Sequence, residues 1–490
     1  MLEHLRPESV FRHFEEISAI PHGSRHTKAI SDYCAEFARA HNLPCKQDAN
    51  NNLIVIAPAA PGYEDAETMI LQGHLDMVCE KESWSPLDME KDPLQLRMDG
   101  DFISAHGTTL GGDDGIAVAM MLAVLEDTTL PHPRLECVFT TDEEIGMLGA
   151  AALDVSALRG RRMLNLDSEV EGVFTVGCAG GCTAVCSVTP HWQSASDAGN
   201  AVHISVRGLT GGHSGTEIHR GRANANILLG RILRELGKSS PLRLVHVGGG
   251  KKDNAIPVSA DAEIVTPEPL SVKRAVGLYA QRLREEFAST DPGLTLEATD
   301  SVAIMCMDAD STERIIKLLS SAPNGVQSMN PDRPDFVRTS LNLGILHTEP
   351  QAVTASFCVR SDDPREKQAL LERLRALATP PNVRRKLKRA VPDDNGAFRV
   401  SGDYPAWTYQ SFSPLRSLCA EVFEELYHDA PKIEAIHAGL ECGYFADKIR
   451  GLDCVSLGPD ILDIHTPRER LRISSVQRVW QFLLEVLRRA

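Results

Sequence analysis

Basic charge is what this 490-residue chain has too little of: 51 lysines and arginines stand against 67 aspartates and glutamates, a formal net charge of −16. A surface of that sign repels phosphate backbones and anionic headgroups, so neither a nucleic acid nor a membrane is an expected partner. Cysteine is sparse as well, twelve residues at irregular spacings, too dilute for a disulfide scaffold. Cys178, Cys182 and Cys186 recur every fourth residue, a spacing that suits one face of a helix or of a strand, but Gly180 and Gly181 interrupt it. They read as small buried thiols in a reducing compartment, with a metal cluster as the lesser alternative. Long hydrophobic runs are missing: the longest, 115–125, falls well short of a membrane span and is flanked by Asp113, Asp114 and Glu126. The first twenty residues mix acids and bases and contain no apolar signal core, so a cytoplasmic location is expected.

Apolar material is nonetheless ample, with 42% hydrophobic and 24% charged residues, the balance of a globular protein with a large core. The length holds roughly three domains' worth of chain at about 150 residues each. Over 1–197 the pattern alternates: amphipathic helices at 11–20 and 28–41, buried strands at 53–56, 69–71, 137–139 and 162–166, a buried helix at 115–125 and another helix at 150–158. Apolar strands separated by helices predict a parallel or mixed sheet flanked by helices. From 201 the order becomes strand 201–207, helix 223–236, strands 242–247 and 258–265, helix 271–288 and strand 294–299, a βαββαβ pattern. Helix 311–321, strands 336–346 and 352–359 and helix 364–378 read as a second, incomplete copy that closes near the polar stretch 392–396. The remainder, ending in an amphipathic helix at 476–487, is short for a domain and is expected to complete the first one. The predicted organisation is an α/β domain made of 1–197 and 399–490, with an α+β domain inserted at 198–398.

Five segments concentrate residues with chemistry. In QGHLDMV, His74 and Asp76 follow a strand and point to one side of it, an arrangement in which an imidazole ligates a cation through one nitrogen and gives its other N–H to a carboxylate. In HGTTLGGDDGIAVA, Asp113 and Asp114 follow a glycine turn and open an apolar helix. One of them suits an N-cap, but two adjacent like charges before a buried helix call for a divalent cation. Asp142, Glu143 and Glu144 follow the strand in CVFTTDEEIGMLGA, and Asp167 ends the strand in MLNLDSE; α/β sheets place their ligand sites at strand carboxyl ends. His465 lies in DIHTPRER, before the last helix. Each singly has a plain reading as a solvated turn or a cap. Together, imidazoles and several carboxylates without thiolates suit zinc, manganese or cobalt, and two ions rather than one.

With QGHLDMV, HGTTLGGDDGIA, TTDEEIGMLGA, NLDSE, GCAGG, GGHSGTEIHRGRANAN, DNAIP, APNGV, IHAGLECGYF and SLGPDILDIHTPRE in place, the chain resembles the co-catalytic two-zinc exopeptidase superfamily. Along nearly its whole length it is similar to the bacterial aminoacyl-histidine dipeptidases (Xaa-His, cytosolic carnosinase-like). The resemblance implies a zinc-exopeptidase-like catalytic domain with an inserted lid, and hydrolysis of short dipeptides, preferentially Xaa-His. A tripeptidase or an N-acyl amino-acid deacylase with the same centre is the alternative. It implies two Zn2+ ions, with Mn2+ or Co2+ able to substitute: His74 and Asp167 on one, Glu144 and His465 on the other, and Asp113 bridging. Three ligand carboxylates and one hydroxide balance two divalent ions. Asp76 would orient His74, and Glu143 would be the general base and acid. His213 would stabilise the oxyanion, with His219 as runner-up, and Asn254 and Arg360 would hold the substrate carboxylate. His437 and Glu441 would line the pocket without a defined role. The peptide between Asp113 and Asp114 is expected to be cis, and a homodimer through the lid is expected. One departure stands out: Asp114 occupies a position where relatives often carry Asn.

Overall fold

The structure, a computed structural model, describes residues 1–331, 333–379 and 397–490. The expected closing stretch at 392–396 lies outside the described residues. Two compact units result: Met1–Cys178 with Trp407–Ala435 and Leu440–Ala490, and Ala179–Ala406 with Ile436–Gly439. The changeovers at 178/179 and 406/407 differ from 197/198 and 398/399 for one reason. Strands Gly180–Val188 and Phe398–Tyr404 both pair into the second unit's sheet.

The first unit is built on an eight-stranded mixed sheet in the order Cys45–Gln47, Leu53–Ala57, Leu135–Thr140, Met69–His74, Arg162–Asn165, Asp453–Ser456, Val173–Cys178, Lys432–Ile436. Its centre is parallel: Met69–His74 lies between Leu135–Thr140 and Arg162–Asn165, with His74 opposite Thr140 and Gln72 opposite Asn165. These strands are buried on both faces and therefore read as continuous apolar runs. The helix Gly112–Glu126 is buried all round up to Leu125, the pattern of a helix with protein on every side. The helix expected at 150–158 is only Leu148–Ala152; Leu153 turns extended, and the Asp154 carboxylate accepts from the Ser156 N–H in a local turn that competes with helix. A small sheet pairs Arg470–Arg472 with Phe102–Ala105 and so brings the 106–113 and 463–469 loops of this unit together.

The second unit carries a nine-stranded sheet whose main path runs Thr295–Ser301, Asn200–Arg207, Ala260–Thr266, Arg243–Gly249, Val337–Thr348, Val353–Ser361, Gly180–Val188, Phe398–Tyr404. Its two halves repeat one βαββαβ order in mirrored succession and meet at Gly249 opposite Leu346. The second copy is therefore complete, which corrects the sequence reading. Its first strand, Gly180–Val188, precedes the first copy, and the first copy is nested between that strand and the second copy's first helix, Ala309–Ser321. Cys182 and Cys186 lie buried on that strand and Cys178 on its predecessor, all as free thiols. Among the described residues no helix is long and apolar enough to cross a membrane.

Candidate metal centre

The carboxyl ends of the central parallel strands converge on one cluster. His74 ends the strand Met69–His74 and is 1% exposed. Its Nδ1 lies 2.9 Å from the backbone carbonyl of Asp76, which leaves Nε2 to face Asp113 Oδ1 at 3.1 Å and Asp167 Oδ1 at 3.6 Å. The other oxygen of Asp113 faces His465 Nε2 at 3.2 Å, and His465 Nε2 is 3.0 Å from Glu144 Oε1. One carboxylate thus presents an oxygen to each imidazole. Ligand atoms of His74, Asp113 and Glu144, and again of His74, Asp114 and Asp167, lie within 4.8 Å of one another. The Asp113–Asp114 peptide is cis, in line with the resemblance. Among the described residues no cysteine joins either group.

Asp76 has more partners than the sequence reading gave it. Its carboxylate stands 3.6 Å from His74 Nδ1, and its oxygens also accept from the N–H groups of Glu143 (3.0 Å) and Glu144 (3.3 Å) and from Ser24 Oγ (2.8 Å). It holds the Glu143–Glu144 turn beside His74, whose Nδ1 also meets the Asp76 backbone carbonyl. Asp114 also has a part that sequence reasoning missed: its Oδ2 accepts from the His74 N–H at 3.0 Å. That approach requires Gly73, because a Cβ there would stand 2.5 Å from the same oxygen. Glu469, 3% exposed, was missed too. Its two oxygens accept from the N–H groups of Leu110, Gly111, Gly112 and Asp113 at 2.7–3.4 Å and so shape the turn that delivers Asp113. Beneath the cluster, Glu441 Oε2 accepts from Gln72 Nε2 and Thr140 Oγ1, both at 2.6 Å, and Asn165 Nδ2 donates to Gln72 Oε1 at 2.6 Å. Glu441 Oε1 and Asn165 Oδ1 are buried without a partner.

The electrostatics are one-sided. Seven carboxylates (Asp76, Asp113, Asp114, Glu143, Glu144, Asp167 and Glu441) gather around two imidazoles, and among the described residues no lysine or arginine forms an ion pair with them. Burial, with Asp167, Glu441 and Glu144 nearby, pushes the Glu143 carboxyl well above its ordinary value against the pull of His74. Burial likewise pushes Asp167 up to about 6, against His74, and Glu441 up to about 7. Burial opposes charge on His74, but Asp167, Asp113 and Asp76 outweigh it and hold its pKa well above the usual imidazole range. Hydrogen bonds that its ring donates to the Asp113 and Glu144 carboxylates raise His465 to about 11. Such a site is unstable as an empty shell; a buried acidic donor set of this kind fits divalent cations.

The second unit holds the other predicted residues. His213 Nδ1 accepts from the Thr216 N–H at 3.1 Å, which leaves Nε2 to carry the ring proton as a donor. Arg360 is 6% exposed; its Nη1 donates to Tyr404 Oη at 2.8 Å, and its Nε is buried without a partner. His437 Nε2 lies 2.7 Å from Ser340 Oγ, and burial beside Arg360 pushes its pKa down to about 3. These three groups meet at Gly215, where a Cβ would stand 2.3 Å from the His437 carbonyl, 2.9 Å from His213 Cε1 and 3.2 Å from Arg360 Nε. Asn254 is exposed, and its backbone carbonyl accepts from the Ser214 N–H at 2.8 Å, which ties it to the same loop. His219 is exposed in the short turn Ile218–Arg220. A buried arginine donor without a partner, beside two imidazoles, has the chemistry to accept an anion.

Comparison with known proteins agrees with this chemistry. Residues 70–489 match the model of Peptidase family M20/M25/M40. The cytosol non-specific dipeptidase of Escherichia coli (strain K12) is 36% identical over 493 residues, covering 99% of this chain and 98% of that protein. The crystal structure of aminoacylhistidine dipeptidase from Vibrio alginolyticus superposes with a TM-score of 0.89 at 33% identity, over 99% of this chain and 97% of the other. A tripeptidase from Staphylococcus aureus shares the fold, with a TM-score of 0.56 at 16% identity over 99% and 98% of the two chains.

Proposed function

The chain belongs to peptidase family M20/M25/M40, and from that premise we propose that it is a cytoplasmic, metal-dependent dipeptidase that cleaves short dipeptides, Xaa-His among them. The names of its full-length relatives support the substrate class. The observation that carries the reading is Asp113, whose two oxygens face His74 and His465 inside an acidic cluster without a lysine or arginine partner. His74 and Asp167 would hold one ion, Glu144 and His465 the second, and Asp113 both. Two divalent ions held there, zinc in this proposal with manganese or cobalt able to substitute, would supply Lewis acidity and would lower the pKa of water at the site.

The chain's own groups do the rest. Glu143, kept basic by burial and then by its acidic surroundings, accepts the proton of the attacking water and returns it to the leaving amine. Asp76 fixes the backbone of Glu143 and Glu144 together, so that base and ligand keep one spacing. His213 Nε2–H is the donor for the developing oxyanion, with His219 as the competing candidate. The free Nε of Arg360, with Asn254 on the adjoining loop, takes the substrate's terminal carboxylate. A homodimer through the inserted unit completes the proposal; a single 53.5 kDa species in sedimentation at micromolar concentration would remove that part. The test of the function is hydrolysis by metal-reconstituted protein of β-alanyl-histidine, glycyl-glycyl-histidine and an N-acetyl amino acid side by side. Turnover of the dipeptide well above the other two is expected. Preference for the tripeptide or the acylated amino acid would replace the dipeptidase reading.

A further inference from the structure

Against the metal cluster, within the first unit, lies a cavity of about 390 Å3 that ion binding does not use, inside the roughly 300–1,000 Å3 range of small-molecule sites. Ser24 and Glu144 form the wall it shares with the cluster: Ser24 Oγ donates to Asp76, and Glu144 faces His465. The other walls are largely apolar, with Met77, Val78, Met89 and Ile145. Ile145 directly follows Glu144 yet is 38% exposed, an aliphatic side chain left open next to a group expected to bind a metal. The edge is acidic. Glu90 is exposed 3.7 Å from His26, and Glu90, Asp76 and Glu80 all make the surroundings of Cys79 negative.

We propose that this cavity receives the side chain of the substrate's amino-terminal residue and selects apolar over acidic side chains there. The placement rests on the dipeptidase reading above. A dipeptide whose terminal carboxylate is taken by Arg360 leaves the residue on the amino side of the scissile bond to other groups, and this cavity adjoins Glu144 without belonging to the anion-binding set. Its chemistry follows from its walls. Two unbranched methionines re-pack around different shapes, so leucine, methionine and phenylalanine are accepted alike. The carboxylates at the edge oppose aspartate and glutamate.

The experiment uses the full-length, metal-loaded enzyme on two matched series, Xaa-Gly and Gly-Xaa, with Xaa as Gly, Leu, Phe or Asp. For the unaltered enzyme, kcat/KM for Leu-Gly and Phe-Gly exceeds that for Asp-Gly by roughly tenfold or more. Met89→Trp, which fills the cavity, lowers kcat/KM for Leu-Gly relative to Gly-Gly by roughly tenfold, with the metal content unchanged and the ratio of Gly-Leu to Gly-Gly preserved. Because a tryptophan can disturb its own loop, Met89→Ala gives the opposite arm and shifts the preference from Leu-Gly toward Phe-Gly. Glu90→Gln narrows the gap between Asp-Gly and Leu-Gly by about threefold. Effects confined to the Gly-Xaa series would overturn the proposal by moving the cavity to the other side of the scissile bond. Equal effects on both series, or none, would overturn it by showing that the cavity is no subsite. Arg360→Lys keeps the two readings apart: it raises KM alike across both series if the carboxylate assignment holds. Should it fail to do so while Met89→Trp still alters Xaa-Gly alone, the carboxylate assignment falls and the cavity stands.

Discussion

In the unit built on the eight-stranded sheet, seven carboxylates converge on two imidazoles with no lysine or arginine partner among the described residues. In the inserted unit a buried arginine and two histidines converge, with no carboxylate in ion-pair range of Arg360 or His437 among the described residues. Burying uncompensated charge costs several kcal/mol per group in either sense, so each unit is built around a ligand of opposite sign. The comparison points to a division of labour in the proposed reaction, in which the first unit would hold cations and the inserted unit an anion, and variants in the two should then fail differently.

The largest effect is expected at the bridge. Asp113→Ala removes the carboxylate that, alone among the described residues, hydrogen-bonds both imidazoles, so metal content should fall below two per chain by elemental analysis and hydrolysis should drop to background. Retention of both ions would break the comparison at its strongest point. Glu143→Gln should keep both ions and still lose about 10²–10⁴-fold in kcat, the scale of general acid–base catalysis. In the other unit, His213→Ala should lower kcat by about a hundredfold, the scale of one oxyanion donor, with metal content untouched. If His219→Ala loses activity and His213→Ala does not, the oxyanion role passes to His219. Arg360→Lys should raise KM by roughly tenfold to a hundredfold through loss of a charged hydrogen bond, with a smaller change in kcat. Any loss of metal from these two variants would blur the division.

The smallest effect is on stability and carries opposite signs in the two units. In chelated protein, burial raises Asp167 to about 6 and Glu441, Glu169 and Glu469 to about 7, above the ordinary 3.8 and 4.5. The folded state then binds more protons than the unfolded chain, so this stabilisation is full below the ordinary values and is lost as pH rises through 6 to 7. His437 is the reverse: depressed from 6.5 to about 3, its contribution is full above 6.5 and is lost as pH falls from there toward 3. Each group acts with a slope of at most about 1.4 kcal/mol per pH unit. The four carboxyls outnumber the one opposing histidine, so thermal melts of chelated protein should rise as pH falls from about 8 to about 5. Saturating metal should abolish the rise.

Much of the cluster was legible because hydrophobic periodicity marks the ends of elements: His74 closes a strand, Asp167 follows one, Asp113 opens a helix, Glu144 and His465 stand in turns after strands, and the structure brings them together. What stayed hidden depends on pairing between distant segments. Glu469 reads as one acid between two arginines, and its four N–H partners become its neighbours only because Arg470–Arg472 pairs with Phe102–Ala105. Asp76 was read only against its nearest histidine, and the turn 67 residues away that supplies it with two backbone donors stayed hidden. Strand Gly180–Val188 was missed because its glycines broke the apparent period and its partner Val353–Ser361 lies beyond a complete folding unit. A nearer signal for it was the burial alternation of Cys182, Ala184, Cys186 and Val188.

The nesting of one copy inside the other has a consequence for synthesis. Within the inner copy, Ala201 pairs with Ser301 and Asn200 with Thr266, so all its strands have been synthesised once residue 301 is made. The outer copy's opening strand must wait: Val188 meets Val353 and Gly180 meets Ser361. Early collapse of the inner copy shortens the loop that this late pairing has to close, and so lowers its entropic cost. Until then Gly180–Val188 is an unpaired apolar strand on a half-made protein, the kind of edge that pairs with the wrong chain. Slow translation or truncation between 302 and 352 would therefore favour aggregation, and release of stalled chains of 301 and 361 residues into a sedimentation assay would show whether the shorter one associates.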